Sequence, residues 1–202
     1  MAIVHIICAT LKPDATDEVV AQAIGLGRVL AGVEGVRHAL LGRAADHLVA
    51  ATWLEGRDAL EPFAASPVHM AFIMRGLAPC IRGMWSAAVE TDAEAPATVE
   101  TMWVFALPSA DTLFEWQVRD LLQSMTTLPG VAAVGVTVEE RERYRAGGVV
   151  CLDAAQSSTF DATLAAARPA WSDLDTPLVE CKVEVIPLQR GEDIPSAIAH
   201  DR

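Results

Sequence analysis

Apolar positions along the chain fall into runs with either the two-residue spacing of a strand or the three-to-four spacing of a helix. Ile3 to Leu11 is apolar on both parities and closed by Lys12-Pro13-Asp14, which predicts a strand buried on both faces. Thr16, Asp17 and Glu18 form a capped, acidic helix start, and Val19, Val20, Ala23, Ile24, Gly27 and Leu30 continue it at helical spacing, so a helix is expected over 15–31. Val36 to Leu41 and His47 to Trp53, separated by Gly42-Arg43-Ala44-Ala45-Asp46, predict a hairpin. Arg57 to Cys80 is helical in pattern but broken at Pro67, and Met84 to Val89 predicts a fourth strand.

The same order then begins again. A linker spans 92–98, followed by a strand at Thr101 to Leu107 and a helix at Thr112 to Met125 that Leu128-Pro129-Gly130 ends. Strands are expected at Val131 to Val138, Gly147 to Leu152 and Leu178 to Ile186, with a short helix at Ser158 to Ala167. The chain thus divides into a first β-α-β-β-α-β unit over 1–91, a second, degenerate one over 99–187, and a polar tail over 188–202. The class is α+β. Each unit makes a four-stranded antiparallel sheet with helices on one face, and the two bare apolar faces are expected to pack on each other.

Composition narrows the function classes. The 202 residues are 52% hydrophobic and 21% charged, enough apolar material for a core without disulfide or metal staples. Fifteen Lys and Arg against 27 Asp and Glu give a net charge of −12, which opposes binding to nucleic acid or anionic membranes. Cys8, Cys80, Cys151 and Cys181 have no CxxC spacing and apolar neighbours, so they read as reduced core residues. The opening MAIVHIICATLKPD lacks a basic segment and reaches Lys12 and Pro13 too soon for a signal peptide or membrane span; a cytoplasmic location is expected.

The histidines carry most of the candidate chemistry. Four of five lie in the first unit: His5 in its first strand, His47 in its third, His38 in an outer strand and read as a surface or edge residue, and His69 two residues after Pro67. His5 sits in the row of Ile3 and Ile7, and His47 in that of Val49, Ala51 and Trp53, each a polar group in an apolar row. The first and third strands are neighbours in this topology, so His5 and His47 are expected to meet, with His69 reaching over the sheet. Aligning the halves puts Trp103 at the place of His5, Val149 at that of His47 and Trp171 at that of His69, leaving the polar set to the first unit. Three imidazoles in one apolar cavity suit proton transfer near neutral pH. No HxH or HxxxH spacing occurs, so no metal is expected. Neither a strand-linked GxGxxG loop nor a GxSxG elbow is present, which removes nucleotide-binding and serine-hydrolase readings. Glu139 to Arg145 alternates in charge and reads as a solvated loop.

Three segments, His5-Ile6-Ile7 with Leu11-Lys12-Pro13, Asp46-His47-Leu48-Val49 and Ser66-Pro67-Val68-His69-Met70-Ala71-Phe72, resemble the stress-responsive dimeric α/β-barrel family. The resemblance covers 1 to about 91; the second half matches in layout only. It implies two ferredoxin-like units fused in tandem and packed face to face as a pseudo-dimeric α/β barrel. Within the family, the pattern is most similar to the plant polyketide cyclases of the olivetolic acid type, cofactor-free enzymes that close a poly-β-ketone by aldol condensation. That likeness implies His69, His5 and His47 as catalytic residues and a small hydrophobic or aromatic substrate. Phe63 stands where the cyclase has a tyrosine that works with the histidine of the Pro-x-His motif. Phe63, Phe72, Trp53 and Trp85 are the aromatic residues placed to bind substrate. Two alternatives share the barrel: a non-catalytic stress-responsive ligand-binding protein, and a cofactor-free monooxygenase of the antibiotic-biosynthesis type. A homodimer of the fused barrel is compatible with each.

Overall fold

A computed structural model describes residues 1–109, 115–138, 143–171, 174 and 178–186. The tail over 188–202, with His200, the first residues of the expected helix at 112–114 and the charged run over 139–142 lie outside the described residues. The first unit contains β1 (Ala2–Leu11), α1 (Asp17–Arg28), β2 (Val36–Arg43), β3 (His47–Leu54), the short helices α2 (Leu60–Ala65) and α3 (Pro67–Ala71), a π-helical turn Phe72–Leu77, the single turn α4 (Ala78–Cys80), and β4 (Ile81–Thr91). The second contains β5 (Thr101–Pro108), α5 (Glu115–Met125), β6 (Val131–Val136), β7 (Tyr144–Leu152), α6 (Ala154–Ala167) and β8 (Val179–Ile186).

All eight strands join one antiparallel sheet in the order β4-β1-β3-β2-β8-β5-β7-β6, two ferredoxin-like sheets set edge to edge. One seam pairs Leu41 with Ile186, Gly42 with Val185 and Arg43 with Glu184. At the other, Val89 bridges Thr137, the Val138 N–H donates to the Ala88 carbonyl at 2.9 Å, and the Thr91 hydroxyl donates to the Ala132 carbonyl at 2.8 Å. The sheet therefore curls into a nearly closed barrel, and the bare faces do meet. Among the described residues no helix is long and apolar enough to cross a membrane.

Period-two alternation sorts the side chains into three cores. On β1, Ile3, Ile7, Ala9 and Leu11 pack outward against α1 and the short helices, with Val20, Leu26, Phe63 and Phe72. Val4, Ile6 and Cys8 point inward with Val49, Ala51 and Trp53 to meet Met102, Val104 and Val183 of the second unit. Trp103, Phe105 and Leu107 pack outward against Val118, Leu121 and Met125 of α5 and Phe160 and Leu164 of α6. Each fully buried Leu, Ile, Val or Phe contributes roughly 1.5–3 kcal/mol, so apolar packing in the barrel interior holds the two units together alongside the hydrogen bonds of the seams.

Boundaries shift where pairing or capping overrides pattern. β2 runs to Arg43, which pairs with Leu48, so the hairpin loop is shorter than expected. β4 starts at Ile81 because Leu11 pairs with it across an irregularity in the ladder. α6 starts at Ala154 because Asp153 and Gln156 form a capping box. Gly130, at φ 73°, turns the chain beside Cys151, whose carbonyl oxygen would lie 2.3 Å from any Cβ there.

Gly42 is the tightest point of the β2–β8 seam: a Cβ there would meet Val183 Cγ2 at 2.3 Å and Met102 Cε at 3.0 Å. Gly42→Ala should cost about 1–3 kcal/mol, read as a lower urea midpoint. Gly25→Ala in α1, where a Cβ meets nothing within 4 Å, should gain roughly 0.5–1 kcal/mol. An unchanged midpoint for Gly42→Ala would show that the seam has slack.

Candidate functional site

His69 is placed by its own helix start. Ser66 caps α3 by accepting the His69 backbone N–H at 3.2 Å, and Pro67 takes the first helical position, where its missing N–H costs nothing. The His69 ring then lies beneath α2 and over β1. Its Nδ1 is 3.0 Å from the Ala64 carbonyl oxygen. A carbonyl can only accept, so Nδ1 carries the proton and Nε2 carries the lone pair. His5, on the outward face of β1, brings its ring to 5.8 Å from that of His69, edge to face, and Phe63 of α2 completes the trio at 5.7 Å from His5 and 4.8 Å from His69.

Both histidines are buried, each 8% exposed, and two ring nitrogens have no hydrogen-bond partner, His5 Nδ1 and His69 Nε2. Leaving such an atom unpaired costs about 1–3 kcal/mol, so the pair is expensive for the fold. Burial pushes His5 down to about 4, with the neighbouring His69 charge adding to the effect. Burial also lowers His69, against the Ala64 carbonyl, which raises it. Both rings are therefore neutral at pH 7, and Nε2 of His69 is a desolvated lone pair able to take a proton.

The other expected site residues separate. Phe72 shares the outward core with Phe63, within reach of the same layer. His47 does not meet His5: the register pairs His5 with Thr52 and His47 with Thr10, at the far end of the ladder. Because odd-numbered β1 residues pair with even-numbered β3 residues, His47 lies on the inward face, opposite His5. Its Nδ1–H donates to Asp46 Oδ1 at 2.7 Å, and this bond, first among the causes, holds the Asp46 carboxyl below the usual range. Trp53 and Trp85 are also inward. Trp53 lines a cavity of about 440 Å³ at one barrel end with Arg37 and His38, while Trp85 packs 5.9 Å from Tyr144. His38 is half-buried on the end of β2 that β8 does not pair; its ring sits 5.7 Å from Trp53, and its Nε2 is buried without a hydrogen-bond partner.

The second unit replaces the histidine with a satisfied group. Trp103 stands where His5 does, on the outward face of the first strand, and its Nε1–H donates to Glu180 Oε2 at 2.9 Å, while Arg168 binds the same carboxylate. Val149 is not the counterpart of His47: Pro108, in the place of Thr10, pairs with Tyr144. The side chain of Trp171 lies outside the described residues. Sequence reasoning missed the Ala64 carbonyl that fixes the His69 tautomer. A backbone group leaves no motif, although the Ser66-Pro67 helix start hints that the ring turns back toward the preceding turn.

His5 makes stability pH-dependent in a definite direction. Its folded value near 4 lies below the ordinary 6.5, so the unfolded chain binds the extra proton first. Stability is full above pH 6.5 and falls as pH drops toward 4, and the lowered His69 and His38 add the same sign. Urea midpoints measured across that range should fall, with a shallower slope in His5→Phe; equal slopes would remove His5 as the source.

No family model and no curated protein matches the chain. Among solved structures it is similar to an anthrone oxidase-like protein, at 10% identity and TM-score 0.62, over 92% of each chain. It is also similar to a candidate monooxygenase of Fusobacterium nucleatum, at 12% identity and TM-score 0.56, over 93% of each chain. At these identities the likeness shows the fold alone.

Proposed function

We propose that the chain is a cofactor-independent enzyme acting on a small hydrophobic carbonyl compound, polyketide-like or aromatic, with His69 as general base. The observation that carries this reading is the buried, unpartnered Nε2 of His69, its tautomer set by Ala64 and its ring against His5. In the reaction, Nε2 removes a proton alpha to a carbonyl and the electron pair moves onto the carbonyl oxygen. An N–H of neutral His5 donates to that enolate oxygen. In a poly-β-ketone the enolate carbon then attacks a second carbonyl, and the His69 imidazolium returns the proton to the alkoxide that forms. This follows the resemblance of the first unit to the polyketide cyclases. Phe63 in place of tyrosine supplies packing only, so orientation falls to His5 and to the apolar walls. His47, across the sheet, stands outside this chemistry.

The layer over 57–80 that covers the pair is built of short pieces, with one 3-10 turn, three short α-segments and a π-helical turn in place of one continuous helix. Such interrupted segments open at lower cost than a regular helix, and π-turns recur at functional sites.

The test is binding of poly-β-ketone, phenolic and quinone compounds, with product analysis of every binder. His69→Ala should lower turnover by about 10²–10⁴-fold with the fold retained by circular dichroism. Undiminished turnover in His69→Ala overturns the assignment of the base, and binding without any product favours a ligand-binding protein. A second reading, oxidation of an anthrone or quinol by O₂, is favoured by the full-length likeness to an anthrone oxidase-like protein. Oxygen uptake coupled to substrate loss distinguishes it from cyclisation.

A further inference from the structure

At the end of the barrel interior reached by the first residues of β3, three groups distant in sequence converge. Cys8 of β1, His47 of β3 and Cys181 of β8 bring two thiol sulfurs and a ring nitrogen within 4.8 Å of one another. Both cysteines are buried in the inward core and neither is in a disulfide. The His47 ring is already oriented as a ligand: Nδ1 is held by Asp46 at 2.7 Å, and Nε2 has only a 3.4 Å contact with the Thr10 hydroxyl. A carboxylate on the far nitrogen of an imidazole is the usual outer partner of a metal-bound histidine, fixing the tautomer and raising its basicity.

We propose that Cys8, His47 and Cys181 form a binding site for a thiophilic divalent cation, Zn²⁺ being the first candidate, which would tie β1 and β3 of the first unit to β8 of the second. The chemistry balances in this setting. Each thiol releases its proton to solvent as its Zn–S bond forms, and two thiolates with a neutral imidazole make an uncharged complex. An uncharged complex is what apolar barrel walls tolerate, whereas a lone buried thiolate is not. Tetrahedral ligands at about 2.0–2.3 Å from zinc stand closer together than 4.8 Å, so binding needs a small inward movement of the side chains. Three protein ligands leave a fourth position for water or a solute. The other two cysteines are differently employed: Cys80 donates its S–H to the Gly76 and Leu77 carbonyls, and Cys151 stands outside the cluster.

The experiment is a Co²⁺ titration of the full chain, reduced and freed of metal. One equivalent should produce thiolate-to-cobalt charge-transfer absorption with the visible bands of a tetrahedral site, and Zn²⁺ should abolish both by displacement. Cys8→Ser/Cys181→Ser should lose these bands, Cys80→Ser/Cys151→Ser should keep them, and His47→Gln should weaken binding at least about tenfold, the scale of losing a first ligand or its support. In the unmodified chain, Zn²⁺ should slow alkylation of Cys8 and Cys181 without affecting Cys80 or Cys151, a readout that needs no variant to fold. Absence of the charge-transfer band in fully reduced wild type, or its persistence in Cys8→Ser/Cys181→Ser, overturns the site.

Discussion

β1 and its counterpart β5 are buried along both faces, and this double burial governs where His5 and Cys8 stand. A residue of β1 must point either to the helix layer or into the barrel, because neither face meets water. Neighbouring positions therefore fall in different compartments. His5 goes outward to the short helices, and Cys8 goes inward to the seam between units. The barrel closes because the inward faces carry Val, Ile, Met and Ala with few polar atoms, and each sheet covers the apolar face of the other.

Against that apolar background the polar exceptions are costly, and the two units treat them differently. In the second unit the Trp103 indole finds Glu180, which is held in turn by Arg168, so the buried donor is satisfied through a chain ending at the surface. In the first unit the equivalent position is His5, and it and His69 each keep a nitrogen without a partner. A fold under selection for stability alone would repair the first unit as it has the second. The unrepaired pair lies under a helical layer broken by Pro67 and a π-turn, where the sequence spends regularity as well. Unsatisfied nitrogens, depressed basicity and a discontinuous cover thus coincide at this pair.

The inward cluster of Cys8, His47 and Cys181 follows different physics. It is formed by strands of both units, and its members are ordinary core residues until the barrel closes. The outward pair is formed within the first unit, by β1 and α3. The His5–His69 pair in the helix layer and the Cys8–His47–Cys181 cluster in the barrel are thereby separated by one thickness of sheet.

Much of the fold was legible because local pattern and burial agree. Lys12-Pro13-Asp14 ends β1, Thr16 caps α1, Pro67 divides the long helical stretch, and Leu128-Pro129-Gly130 ends the helical segment before β6. The doubling of the pattern implied two sheets with bare faces, and the barrel follows from burying them. The pairing of His5 with His69 was legible as well, since one lies on the central strand and the other at a capped helix start above it. The grouping of His5 with His47 was not, because each strand has its own parity and only the register says which parities share a face. A strand apolar on both faces gives no sequence signal for that choice. Nor could spacing reveal Cys8, His47 and Cys181, since their meeting depends on the closed barrel. The sequence by itself determined the elements, their order and the need to bury two faces; the tertiary structure alone decided which face each side chain took, because register and closure are set by long-range pairing rather than by neighbours along the chain.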